Sequence, residues 1–298
     1  MTLPATLHQS LASGGRRLMD AFRFVLVAPS HAGNIGSVAR AMKTMGLSDL
    51  AVVAPREPRF MDHPQARALA SGAVDLLAQA RSFATLPEAV ADCQLVVAVS
   101  ASPREFGPVP RLPAEVAALA IERLEAGVVR KVALVFGTER TGLLVEEMGL
   151  CQQLVCIPAD PAYSSLNLSQ AAQIVAFSLR QEVMREADRA ARGAEPAATV
   201  KRRYGEAHAD HASVERLFAH MERMLVAIGY LDPAEPRRLM PRLRRLLART
   251  TLEVAEVDLL RGVFTQMEKV AARAVPDEAA RGEPDRSDAH GERDGPGD

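Results

Sequence analysis

Five short runs of aliphatic and β-branched residues recur along the first half of the chain: FRFVLVA (22–28), LAVVA (50–54), LVVAVS (95–100), VALVFG (132–137) and LVCIP (154–158). They are continuously apolar rather than alternating. A strand with one wet face alternates; a continuously apolar strand is buried on both faces, as in a parallel sheet covered by helices. Helical segments fall between the runs, over 35–46 and 113–126. Strands alternating with helices specify an α/β layered domain. After the last run, Ala171, Ile174, Val175, Leu179 and Val183 recur at helical spacing, which predicts a long helix with Ser165 or Asn167 as N-cap.

Further along, the pattern is purely helical. Leu217, Met221, Met224, Leu225 and Ile228 share one face, and Gly229 suits the position just past a helix end. PRLRRLLART opens on Pro241, which a first helical turn tolerates, and EVDLLRGVFTQMEKVAAR repeats the periodicity. The expected organisation is a flexible leader (1–21), an α/β domain (22–190), a linker (191–211), a small helical domain (212–273) and an acidic tail (274–298). The leader has no apolar h-region, which argues against secretion. Within the tail, residues 277–298 hold eight Asp/Glu and three Arg and are rich in Gly and Pro, so disorder is expected. Without them, 33 of the 36 basic and 29 of the 37 acidic residues remain, an excess of four positive charges that permits nucleic-acid binding.

Three function classes lose ground on composition. No apolar run approaches the roughly 18 residues of a membrane span. With no Trp and 4% aromatic residues, a surface that stacks many bases on rings is not expected. Cys93, Cys151 and Cys156 lack C-x-x-C spacing and read as free thiols in a reducing cytosol rather than as metal ligands.

Four segments carry candidate chemistry. PSHAGNIGSVARAMKTMG (29–46) reads as loop then helix after a strand, but it has neither a Walker lysine nor G-x-G-x-x-G, which disfavours a dinucleotide-dependent oxidoreductase. Gly33 and Gly36 serve either a close approach to an anion or only a tight turn. Arg40 lies off the apolar stripe of Val38, Ala41, Met42 and Met45. In ALVFGTERTGLL (133–144) a buried strand runs into Gly137, Glu139, Arg140 and Gly142, the position where open α/β sheets place ligands. CIPADPAYSSLNLSQ (156–170) brings Ser164, Ser165 and Asn167 to a helix start without a G-x-S-x-G elbow, which disfavours a serine hydrolase. Residues 237–249 contain six arginines and no acid; Arg238, Arg242, Arg245 and Arg249 share one helix face, with Leu239, Leu243, Leu246 and Leu247 opposite. That face either contacts phosphates or is simply solvated.

In this order the first three segments resemble the motifs of the SPOUT-class RNA methyltransferases, and with MPRLRRLLART added the chain most resembles the TrmJ family of tRNA ribose 2′-O-methyltransferases. The resemblance covers about 22–273. It implies a parallel-sheet domain with a trefoil knot whose loops bind S-adenosylmethionine, here around Val99, Ser100, Ala101, Gly137, Ile157, Ser164, Ser165, Leu166 and Asn167. It implies a homodimer through the knot, no metal, tRNA as partner, no membrane and a cytoplasmic location. Arg40 and Ser165 match its catalytic positions. A guanidinium has no acceptor, so Arg40 is expected to hold a phosphate and stabilise a developing alkoxide rather than to act as a base, while Ser165 orients the reacting group. RNA contacts are expected from Asn34, Arg40, Arg104, Arg242, Arg244 and Arg245. Ser102 stands where family members often carry arginine. The implied reaction is methylation of cytidine or uridine at anticodon-loop position 32. Another tRNA position, an rRNA loop, or a non-catalytic RNA-binding protein that retains the knot are the alternatives.

Overall fold

Seven strands, all parallel, make one sheet: β1 Phe22–Val27, β2 Asp49–Val53, β3 Arg81–Phe83, β4 Leu95–Val99, β5 Pro110–Arg111, β6 Val132–Phe136 and β7 Gln153–Val155. Their order is β3-β2-β1-β6-β4-β7-β5. The computed structural model describes residues 15–105, 107–191 and 207–274. One helical turn (Arg16–Met19) precedes the sheet. The helices that follow are α1 Ala32–Met45, α2 Pro64–Ala70, α3 Val74–Ala78, α4 Leu86–Val90, α5 Pro113–Glu125, α6 Val145–Gly149, α7 Leu168–Ala191, α8 His211–Ala227, α9 Leu239–Ala248 and α10 Val254–Ala274. Most of the expected leader, linker and tail falls outside the described residues.

Alternation of side chains along each strand feeds two cores. Phe24 and Leu26 pack with Val38 and Met42 of α1 and Val175 and Leu179 of α7. Val25 and Val27 enter the opposite layer with Val90, Met148 and Leu154. The rings of Phe24 and Phe136, neighbours across β1 and β6, stack at 5.3 Å. A third core joins Leu217, Phe218, Met221, Val257 and Phe264 of α8 and α10.

Several boundaries differ from the sequence expectation. β3 and β5 have three and two residues and lie at the two edges of the sheet, where little burial is demanded of them. LVCIP supplies only the end of β7; Cys156 has already left the strand. On α7 the core face is Ala172, Val175, Ala176, Leu179 and Val183, with Ala171 and Ile174 only half-buried. Leu246 and Ile228 are exposed rather than packed.

At the N-terminal end of the sheet Arg23 is 1% exposed. Its guanidinium donates to Asp49 (3.0 Å), to Asp92 (3.0 Å) and to the carbonyl of Ala89 (2.7 Å). A buried charge is tolerated only when it is matched in this way. Burial works to raise the Asp92 carboxyl, but hydrogen bonds from Arg23 and Lys131 outweigh it and hold the group well below the usual carboxylate range. The loop that Arg23 pins receives α8: the N–H of His211 donates to Cys93 O (2.9 Å) and that of Ala212 to Ala91 O (3.1 Å).

Candidate functional site

The C-terminal ends of β1, β6 and β7 bring the first three segments together, as expected of an open parallel sheet. Glu139 is their hub. Its carboxylate accepts from Ser30 N–H (3.0 Å), Ser30 Oγ (2.8 Å) and Asn34 Nδ2 (2.8 Å). Partial burial pushes this carboxyl up, but the bonds from Ser30 and Asn34 prevail and its pKa is lowered. Asn34 Oδ1 in turn accepts from Asn167 Nδ2 (3.2 Å). Asn167 Oδ1 accepts from the N–H (2.9 Å) and Oγ (2.7 Å) of Ser169, so Asn167, not Ser165, caps α7. One hydrogen-bonded line thus joins residues more than a hundred positions apart.

Beside this line opens a cleft of about 260 Å³. Its floor is apolar: Val99, Phe136, Ile157, Leu166 and Leu168. Its rim carries Ser100, Ala101, Gly137, Ser164 and Ser165 from the expected set. Of the expected donor-binding residues only Asn167 is absent from the lining, because its amide is spent on the cap and on Asn34. Thr138, Thr141 and Gly142 also line the cleft. They form a tight hairpin in which Thr138 and Gly142 exchange backbone hydrogen bonds. A Cβ at Gly137 would fall 2.2 Å from the carbonyl carbon of Gly142, so this turn closes only on glycine. The pair of threonines flanking E-R in GTERTG was the available signal. Arg104 borders the cleft and donates to Thr141 O (2.8 Å).

Arg40 is exposed and lines a different, open depression with Ser37, Thr44, Gln170 and Gln173. The two hollows share Leu166. Within one chain, Arg40 and Ser165 therefore line adjacent cavities rather than one. Gly33 and Gly36 do not form a turn ahead of the helix. Both lie inside α1, and a Cβ on Gly36 would sit 2.0 Å from the carbonyl oxygen of Ala66 on α2. They let two helices touch.

The arginine-rich helix splits by face. Arg242 and Arg245 are exposed. Arg244, expected to touch RNA, points inward: it pairs with both oxygens of Glu215 (2.5 and 2.8 Å) and lies over the Phe218 ring at 4.3 Å. That arrangement commits Arg244 to holding α9 on α8. Arg238 is bound to Glu105 of the main domain.

Among the described residues no His/Cys/Asp/Glu group has metal-binding geometry, and no helix is long and apolar enough to cross a membrane. Burial pushes the Cys93 thiol up to about 12 and raises Cys151 further, which removes both as thiolate nucleophiles. An apolar floor under a rim of hydroxyls and backbone groups, without a metal-ligating set, fits a nucleoside with a polar amino-acid arm such as S-adenosylmethionine.

Comparison with known proteins agrees with this arrangement. The model of the SpoU rRNA methylase family matches residues 21–177, and that of the C-terminal domain of the tRNA methyltransferase TrmJ matches 212–277. A tRNA (cytidine/uridine/adenosine-2′-O-)-methyltransferase TrmJ of Pseudomonas aeruginosa is 43% identical over 255 residues, 85% of this chain and 96% of that protein. A tRNA (cytidine/uridine-2′-O-)-methyltransferase TrmJ of Yersinia enterocolitica is 41% identical, over 85% and 93%. The crystal structure of TrmJ from Z. mobilis superposes with a TM-score of 0.68 at 33% identity, covering 83% of this chain and 98% of that one. The chain belongs to the SpoU methylase family, and within it to the TrmJ group.

Proposed function

We propose that the protein transfers a methyl group from S-adenosylmethionine to a ribose 2′-oxygen of tRNA, at cytidine or uridine 32 of the anticodon loop. The observation that carries the reading is the line Glu139–Asn34–Asn167, which ties the first SPOUT-like segment to the second and third, and those two line one cleft of suitable chemistry. Membership of the TrmJ group, whose relatives are named as tRNA 2′-O-methyltransferases, supports the substrate.

The bound donor supplies an electrophilic methyl for in-line displacement by the ribose oxygen. The chain's own residues position and stabilise. Ser100, Gly137, Ile157, Ser164 and Leu166 hold the donor in the cleft, and Ser165 at the rim orients the reacting group. Arg40 binds the phosphate beside the target ribose and stabilises the negative charge that develops on the 2′-oxygen. Arg104, held by Thr141, and Asn34 contact the RNA between them. The functional unit is a homodimer that covers the Arg40 face, where Phe177 on α7 is 48% exposed. β4 pairs in parallel with both β6 and β7, so the chains leaving these strands emerge at the same sheet end, which supports a knot there.

Incubation with labelled methyl donor and total tRNA, followed by alkaline hydrolysis and mapping, tests the reading. Label in an alkali-resistant dinucleotide that includes position 32 is expected; label on a base refutes 2′-O chemistry. Arg40→Ala is expected to lower methyl transfer about a hundredfold or more with donor binding intact. An unchanged rate would remove Arg40 from the mechanism.

A further inference from the structure

A groove of about 490 Å³ lies apart from the candidate cleft, between α9 and the β5 edge of the sheet. Part of the lining is aliphatic. Val109, Val145 and Met240 form it, and the first two are 70% and 51% exposed. Arg111 of β5 and Arg245 and Arg249 of the α9 wall also line the groove, and their guanidinium groups form no ion pair with a carboxylate among the described residues. The acids nearby do not cancel them. Glu105 is bound to Arg238, and Glu146 is the one lining carboxylate without an ion pair among the described residues. Three cations against one acid, beside an exposed aliphatic wall, is the chemistry of a site for an anion with an apolar plane attached.

The groove and the candidate cleft are neighbours along the chain. Arg104 borders the cleft and the very next residue, Glu105, borders the groove. The two hollows are therefore lined by consecutive residues.

We infer that this groove seats one nucleotide of the RNA substrate next to the reacting one, its base against Val109, Val145 and Met240 and its phosphate on Arg245 and Arg249, with Arg111 facing them. The inference rests on RNA being the substrate. It assigns the arginine-rich helix a direction: Arg245 and Arg249 act inward across the groove, whereas Arg242 lies outside it. Proteins that read single-stranded loops take up splayed-out, unstacked bases, and arginine guanidinium planes are among the surfaces that receive them.

The test uses the full chain with a photoreactive benzoyl-phenylalanine in place of the exposed Val109, irradiated with tRNA. The expected adduct is protein–RNA. An adduct to a second copy of the chain, or to residues 275–298 of the same chain, means another occupant and overturns the proposal. In parallel, the Arg245→Gln/Arg249→Gln variant is expected to bind tRNA at least tenfold more weakly at moderate salt. Its log–log salt slope should fall by about 0.7, the release expected for one single-strand phosphate contact. A wild-type slope and affinity in that variant, while the wild-type protein methylates tRNA in the same assay, refutes the groove alone. A wild-type protein that neither binds nor methylates tRNA refutes the underlying function instead.

Discussion

Replacing Glu139 by Gln removes one charge and changes one oxygen to NH₂, and the surrounding hydrogen bonds leave that NH₂ nowhere to go. Its carbonyl oxygen can serve Ser30 N–H and Oγ, turning two charge-assisted bonds into neutral ones. The new NH₂ then faces Asn34 Nδ2, donor against donor. Asn34 cannot relieve this by rotating its amide, because its Oδ1 accepts from Asn167. Asn167 cannot rotate either, because its oxygen caps α7 through Ser169. The direction of every bond in the line is thus set from the helix end. Neutralising two charged bonds costs about 0.5–1 kcal/mol each and an unpaired, partly buried donor about 1 kcal/mol, some 2–3 kcal/mol together. For a chain of this size that is a fall in Tm of about 4–12 °C by differential scanning fluorimetry. The double variant Glu139→Gln/Asn34→Asp restores every donor–acceptor match, since the new NH₂ meets a carboxylate that still accepts from Asn167. It is expected to regain more than half of the lost stability. Methyl-transfer rates should follow the same order if the line positions the site. A double variant no more stable than the sum of the two single changes would refute the directional argument.

Gly36→Ala is expected to cost about 3 kcal/mol or more, because the new methyl meets the Ala66 carbonyl of α2, whereas Gly72→Ala, with open space around its Cβ, should shift the urea midpoint little. Arg244→Ala is expected to destabilise the α8–α9 packing by about 2–4 kcal/mol through loss of Glu215 and Phe218, and Arg242→Ala to leave stability unchanged while weakening tRNA binding; thermal melts and filter binding separate the two. His211 at the α8 joint has its pKa lowered by burial, with Glu215 and Asp210 opposing and Arg244 adding to that effect. Its neutral form is the folded one, so stability is full above the unfolded value near 6.5 and falls as pH drops from there through the depressed folded value. Urea midpoints measured from pH 7.5 to 5 should decline in wild type and be flatter in His211→Phe.

The main strands were legible because burial on both faces leaves a continuous apolar run. β3 and β5 were not, because an edge strand of two or three residues imposes no such demand. The Asn167 cap was legible from local chemistry, since Ser, Thr and Asn at a helix start bond the free N–H groups. Gly36 was misread because a helix–helix crossing is a tertiary event; nothing within α1 announces Ala66. Arg244 was recoverable from periodicity, since it shares the inner side of α9 with Leu243 and Leu247 rather than the Arg238–Arg242–Arg245–Arg249 face. What the motifs conveyed was residue identity, while the separation of Arg40 and Ser165 into neighbouring hollows depends on how α1 and α7 cross.

The joint between α8 and the loop after α4 is built from main-chain atoms, with Cys93 O and Ala91 O accepting from the N–H groups of His211 and Ala212. Main-chain donors and acceptors survive almost any substitution except proline at the donor positions. The two bonds themselves thus tolerate any change at 91, 93, 211 and 212 that the surrounding packing accepts, and that packing is tight at Cys93 and His211, both buried. The helical part can acquire a new surface for a new RNA shape, and the sheet a new cleft, while the connector between them stays the same.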